Sequence, residues 1–259
     1  MSTQPDERTA LARLYDLDLA EDPGDLDLYL SLARRTGGPI LELAVGTGRL
    51  ALPLVNAGFD VTGVDIDPAM LGRARERAAS GKTDGRVDLV ESDVLGLRLP
   101  AAGTFHLSFI ALNSLLLLGS RDAQREAIRT MAAHLAPGGL AVADVWLPDA
   151  DDLARFDGRI VLEYARTDPD TGLTVTKADS AQYDSVRQQV TLTTLYEESG
   201  QGGSVQRWVR VDRLRLVSAD ELRGFAEDVG LEVEIVGGDY ELSPLGPTSD
   251  RAVLVAHLP

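Results

Sequence analysis

Apolar positions along the chain follow two different rhythms, and the change between them divides it. From residue 40 to 147, short strand-like runs alternate with segments of helical spacing. The runs are Ile40 to Val45, Val61 to Ile66, Val87 to Ser92, Phe105 to Leu112 and Leu140 to Trp146. Runs of this length bounded by turn residues predict buried strands. Between them, a helix is expected from about Arg49 to Gly58. A second starts at Asp67-Pro68, a carboxylate N-cap before a proline at the first helical position, and buries Met70, Leu71, Ala74 and Ala78. A third, capped by Ser120, buries Ala127, Ile128, Met131 and Leu135 and stops at Pro137-Gly138-Gly139. Strand–helix alternation of this kind predicts a parallel sheet covered on both faces. Upstream, Leu28, Leu32 and Ala33 mark a helix over Asp25 to Arg35. Residues 1 to 24 are polar with weak periodicity, apart from a clump at Leu11, Leu14, Tyr15 and Leu17.

Past Pro148 the rhythm changes to period two. Strand-like runs at Arg159 to Tyr164, Leu173 to Ala178, Gln189 to Tyr196 and Trp208 to Leu216 are joined by turn-rich pieces with no helix between them, so antiparallel hairpins are expected. Ser218-Ala-Asp-Glu221 is a capping box that opens a helix with Leu222, Phe225, Ala226 and Val229 on one face. Two strands, Leu231 to Val236 and Ala252 to His257, close the chain. The predicted fold is α/β: a Rossmann-like, doubly wound, seven-stranded sheet with an antiparallel last strand, plus an antiparallel β insertion after strand five. The expected divisions are an N-terminal helical cap (1–38), a cofactor-binding core (39–147), the insertion (148–217) and the C-terminal part of the core (218–259).

The 259 residues carry a net charge of -16, which argues against nucleic acid or an anionic membrane as partner, since both need a basic face. The chain has no cysteine, hence no disulfide or thiolate metal site. His106, His134 and His257 show no metal-ligand spacing. With no signal-like N-terminus and no long apolar run, a soluble cytoplasmic protein is expected.

Chemistry concentrates at Ile40-Leu-Glu-Leu-Ala-Val-Gly-Thr-Gly-Arg and at Val64-Asp65. Gly46 and Gly48 let the backbone turn tightly and approach a ligand. Asp65, at the end of the second strand, stands where an acid can accept from ribose hydroxyls. That pattern alone fits a nicotinamide dinucleotide. Glu42, four residues before Gly46, disfavours a phosphate-bearing cofactor and suits one with cationic groups. Asp93, ending the third strand, is placed to accept from an adenine amino group while Val94 packs on the ring.

These residues resemble those of the class I S-adenosylmethionine-dependent methyltransferases. The family's acid-x-Gly-x-Gly-x-Gly motif corresponds to Glu42-Leu-Ala44-Val-Gly46-Thr-Gly48, with Ala44 in place of the first glycine. The resemblance implies that Asp65 holds the ribose, that Ile66 and Met70 flank the adenine, and that Asp93 and Val94 complete its pocket. It also implies that Ala111-Leu112-Asn113-Ser114 is a loop facing cofactor and substrate, with Leu112 toward the cofactor. By the same resemblance to small-molecule N-methyltransferases, including amino-sugar and glycine enzymes, Tyr15 covers the sulfonium. Tyr15 and Asn113 are then the groups that position the reactants, and Asn113, Asp144, Trp146 and Tyr240 face the acceptor. The implied activity is methyl transfer from S-adenosyl-L-methionine to an amine or hydroxyl of a small-molecule metabolite. The alternatives are a NAD-dependent oxidoreductase, a methyltransferase of nucleic acid or protein, and a non-catalytic binder of S-adenosylmethionine or S-adenosylhomocysteine. The insertion is expected to serve as a lid, as a homodimerisation sheet, or both.

Overall fold

The computed structural model describes residues 6–21, 23–81, 85–200 and 202–259. They form two units, one from Asp22–Leu147 with Val217–Pro259 and the other from Met1–Glu21 with Pro148–Leu216.

The larger unit is built on a seven-stranded sheet. Its strands are β1 (Ile40–Leu43), β2 (Val61–Asp65), β3 (Val87–Glu91), β4 (Phe105–Ile110), β5 (Leu135–Trp146), β10 (Glu232–Gly237) and β11 (Arg251–His257), in the order β10-β11-β5-β4-β1-β2-β3. Only β11 runs antiparallel to its neighbours, β5 and β10, which is the arrangement the sequence predicts. The order reverses between β1 and β4, so a crevice opens at the carboxyl ends of these strands, where ligands bind in open α/β sheets. Its helices are α2 (Leu26–Thr36), α3 (Ala51–Asn56), α4 (Pro68–Ser80), α5 (Arg121–His134) and α7 (Ala219–Asp228). The expected caps are present: Asp67 accepts from Ala69 N, Ser120 from Ala123 N, and Ser218 forms a capping box with Glu221. β1 is buried along its whole length. Tyr29, Ile40, Leu54, Leu71, Leu107, Phe109, Val142 and Val255 belong to the core that encloses it. The largest change of boundary is that α5 ends at His134 and β5 starts at Leu135 instead of Leu140, with an irregular register against β4 between Phe105 and Leu107.

The smaller unit is a four-stranded antiparallel sheet of β6 (Asp157–Thr167), β7 (Thr174–Asp184), β8 (Gln189–Ser199) and β9 (Val205–Arg215), in sequential order. The strands run longer than their apolar centres predict, because charged residues continue each hairpin. Helix α1 (Glu7–Asp18) belongs to this unit, whereas α2 belongs to the larger one, so the segment read as a single N-terminal cap is divided. Asp6 caps α1 through Thr9 N at 2.8 Å. Ala10, Leu14 and Leu17, at helical spacing, pack with Val175, Tyr196 and Trp208. A short helix, α6 (Ala150–Arg155), stands before β6 with a capping box between Asp149 and Asp152, where the sequence reading expected no helix.

Candidate active site

The turn after β1 is shaped by three residues with left-handed backbone: Ala44 (φ 56°), Gly46 (φ 55°) and Gly48 (φ 79°). Such angles suit glycine and strain alanine. At Gly48 a Cβ would also lie 3.1 Å from Leu52 Cγ, so Leu52 would have to give way by a few tenths of an ångström.

Asp65 ties this turn to the next strand. Its Oδ2 accepts from Gly46 N at 2.8 Å and its Oδ1 from Asp67 N at 2.9 Å. Burial raises its pKa, against the pull of these two N–H groups. Beside it, Ile66 is 66 % exposed, an unusual position for a large apolar side chain at the end of a central strand. Met70, one turn into α4, is half-buried. Past β3, Asp93 is exposed and its Oδ1 accepts from Leu95 N at 2.8 Å, while Val94 is buried.

Glu42 lies within β1, opposite Gly63 of β2 and Phe109 of β4. It is 4 % exposed, and its Oε2 has no hydrogen-bond partner among the described residues. Burial pushes its pKa well up, opposed by the Arg49 guanidinium. Arg49 in turn grips the fully buried Asp25 with two bonds of 2.6 Å. Sequence reasoning passed over this Asp25–Arg49 pair. Arg49 directly follows the glycine turn, and that adjacency was the one signal available.

At the end of β4 the expected acceptor-facing residues form a hydrogen-bonded cluster. Leu112 (φ 50°) and Asn113 (φ 65°) are two successive left-handed residues. Asp144 on β5 accepts from Leu112 N at 3.1 Å, from the Tyr29 hydroxyl at 2.6 Å and from the Tyr240 hydroxyl at 3.2 Å. Asp144 is fully buried. A carboxylate this deep needs several donors, and these three use it. Asn113 likewise serves the loop, since its Oδ1 accepts from Trp146 N at 2.6 Å. Tyr240 is half-buried with the Arg251 guanidinium over its ring at 4.1 Å. Tyr29, which completes the cluster from α2, carried no sequence signal beyond its place on a buried helical face. Tyr15 lies on α1 in the smaller unit and is half-buried there.

The site suits a cofactor with a nucleoside at one end and a cation at the other. Asp65 retains acceptor capacity beyond its two backbone bonds, and the unpaired Glu42 Oε2 is a buried acceptor that a cationic group would complete.

Comparison with known proteins agrees. Residues 40–139 match the model of a methyltransferase domain. Over 223 residues the chain is 27 % identical to the cypemycin N-terminal methyltransferase of a Streptomyces species, covering 85 % of this chain and 82 % of that one. Over 137 residues it is 33 % identical to the carboxy-S-adenosyl-L-methionine synthase of Chromohalobacter salexigens, of which it spans only 49 %. Among solved structures, the CcbJ methyltransferase from Streptomyces caelestis superposes with a TM-score of 0.77 at 27 % identity, covering 92 % of this chain and 91 % of that one. The sugar N-methyltransferase KedS8 from Streptoalloteichus shares the fold, with a TM-score of 0.73 at 23 % identity over 100 % of this chain and 96 % of that one. Residues 40–139 are thus a methyltransferase domain, and the chain as a whole has the fold of the S-adenosylmethionine-dependent methyltransferases.

Proposed function

We propose that the protein methylates an amine or hydroxyl of a small-molecule metabolite. The observation that carries the reading is Asp65, which fixes the Gly46 turn while standing beside the exposed Ile66. In this reading Asp65 receives the ribose hydroxyls, and Ile66, Met70, Val94 and Asp93 form the adenine site. Glu42, with the turn from Ala44 to Gly48, receives the amino-acid end.

S-adenosylmethionine supplies a methyl group already activated by its sulfonium, so the protein's part is alignment and exclusion of water. Leu112 and Asn113, held by Asp144 and Trp146, would form a fixed wall at the carboxyl end of β4. The named relatives support a small-molecule acceptor: one is described as a sugar N-methyltransferase, another as acting on the N-terminus of cypemycin.

Calorimetry with S-adenosylhomocysteine tests the cofactor site. Micromolar binding to the wild type that is lost in Asp65→Ala is expected, and no binding to the wild type would refute the reading. An acceptor screen with amino sugars, amino acids and N-terminal peptides then tests the substrate class.

A further inference from the structure

Helix α5 buries Ala127, Ile128 and Met131, and beside them two polar side chains one turn apart, Thr130 and His134. Polar groups at such depth need partners. Both find theirs in the segment between β3 and β4, which has no helix or strand of its own. Thr130 Oγ1 donates to Val94 O at 3.0 Å. His134 Nε2 accepts from Leu99 N at 3.2 Å, which places the ring proton on Nδ1, 2.7 Å from Thr130 O. The His134 carbonyl accepts from Gly103 N at 3.0 Å. Helix α5 thus holds this segment at Val94, Leu99 and Gly103.

The Thr130 bond reaches further than Val94. Val94 O and Leu95 N belong to one planar peptide unit, and Leu95 N donates to Asp93 Oδ1 at 2.8 Å. Fixing the oxygen of that unit fixes the direction of its N–H and, through it, the Asp93 carboxylate. Donation to the carbonyl also polarises the peptide and strengthens its N–H as a donor. Asp93 is exposed, so hydrogen bonding and not packing must hold its carboxylate in one direction. Its Oδ2 has no bond among the described residues and is the oxygen left for a ligand. The segment is also tied at its start, where Ser92 N donates to Asp65 O at 3.0 Å.

We propose that Thr130 is a positioning residue for base recognition: through the Val94–Leu95 peptide it aims Asp93 at the exocyclic amino group of the cofactor's adenine, while His134 keeps the far end of the segment in place. The proposal rests on the reading that the adenine lies at Asp93 and Val94. Its consequence is specificity. A carboxylate held in that direction accepts from the amino group of adenine and opposes the exocyclic oxygen of hypoxanthine, an acceptor facing an acceptor. Thr130 thereby separates the cofactor from its deaminated counterpart while touching neither.

Calorimetry of the full chain with S-adenosylhomocysteine and S-inosylhomocysteine tests it, with circular dichroism to check folding. The wild type should prefer the adenine compound by roughly tenfold or more. Thr130→Val keeps the branched shape and removes the hydroxyl. It should weaken S-adenosylhomocysteine and leave S-inosylhomocysteine unchanged, so that the preference falls by about threefold or more. Thr130→Ser keeps the hydroxyl and should retain the preference to within about twofold. At the second anchor, His134→Leu should lower the preference, whereas His134→Gln, whose Oε1 can accept from Leu99 N, should preserve it. That pair decides the matter if Thr130→Val does not fold. A purely structural role for either residue would lower the melting temperature and leave the ratio of the two constants where it was. A preference that survives both Thr130→Val and His134→Leu overturns the proposal alone. A wild type that binds S-adenosylhomocysteine without preference removes Asp93 from the base site and overturns the proposal with it. One that binds neither compound overturns the cofactor reading as well.

Discussion

The Tyr29 hydroxyl donates to Asp144 Oδ1 at 2.6 Å, joining α2 to β5 across 115 residues of sequence. Both groups are buried, and burial first, then the proximity of the carboxylate, pushes the tyrosine pKa well up. The bond therefore involves a buried charge and a donor with no access to solvent, so its loss should exceed that of an ordinary surface contact. Tyr29→Phe removes one of the donors to Asp144 and should cost about 1.5–3 kcal/mol. Asp144→Ala strands Tyr29, Tyr240 and the Leu112 N–H together and should cost more, with the Leu112–Asn113 turn losing protection first. Urea midpoints and amide hydrogen exchange at Leu112 measure the two effects.

That relationship also marks the limit of what the sequence discloses. The Ser218 and Asp67 caps, the glycine turn and the strand order were legible because each rests on residues close together in the chain. The bounds of helix α1 were not, because Ala10 contributes to its stripe and alanine carries little pattern. Asp144 and Asn113 were read as acceptor contacts because each sits at or after a strand's carboxyl end. The structure adds the donors that reach Asp144 from α2 and from the segment before β11, and the one that reaches Asn113 from the end of β5; such partners leave no trace in local spacing. Glu42 was legible as an acid in a buried strand, but its unpaired Oε2 was not.

Ala44 occupies a left-handed conformation (φ 56°) where the family motif has glycine. An L-residue there carries about 1–2 kcal/mol of strain. Glycine removes it but loses roughly 0.5–1 kcal/mol through the greater freedom of its unfolded chain. Ala44→Gly is thus expected to stabilise the protein by up to about 1 kcal/mol, seen as a higher melting temperature. Ala44→Val should move it the other way.

Burial raises Glu42 well above its ordinary value of 4.5. A carboxyl group that binds its proton more tightly when folded makes stability fall as pH rises from the unfolded value through the folded one. Glu42→Gln should therefore be more stable than the wild type at neutral pH, with the gain fading below about pH 4. Asp65 and Asp144 are raised in the same direction, so part of the slope should remain in the variant. Urea midpoints measured across that pH range check the sign.

Ile66 offers a test of the cofactor site that leaves the fold alone. At 66 % exposure it contributes little to the core, so Ile66→Ala should change stability by no more than about 0.5 kcal/mol. If its side chain is covered on cofactor binding, about 1.5–3 kcal/mol of burial is lost in the variant. The dissociation constant for S-adenosylhomocysteine should then rise roughly tenfold or more, by calorimetry. An unchanged constant would remove Ile66 from the adenine site.

Helix α1 is held to its sheet by charges as well as by apolar contact. Arg13 pairs with Asp168 and, at 2.7 Å, with Glu198, while Trp208 Nε1 donates to Glu198 at 2.5 Å. Asp168 and Glu198 are 2 % and 5 % exposed, so both depend on Arg13 for neutralisation. Arg13→Ala leaves two buried carboxylates close together without their cation, a change that should cost about 3–5 kcal/mol. An isolated helix of this length is marginal in water, so the loss should appear as release of α1. Amides between Leu11 and Asp18 would then exchange far faster, while β1 and β4 in the other unit keep their protection. Arg13→Met combined with Asp168→Asn and Glu198→Gln removes the stranded charges and should restore most of the protection. If Arg13→Ala leaves exchange in α1 unchanged, apolar contact through Ala10, Leu14 and Leu17 is sufficient to hold the helix.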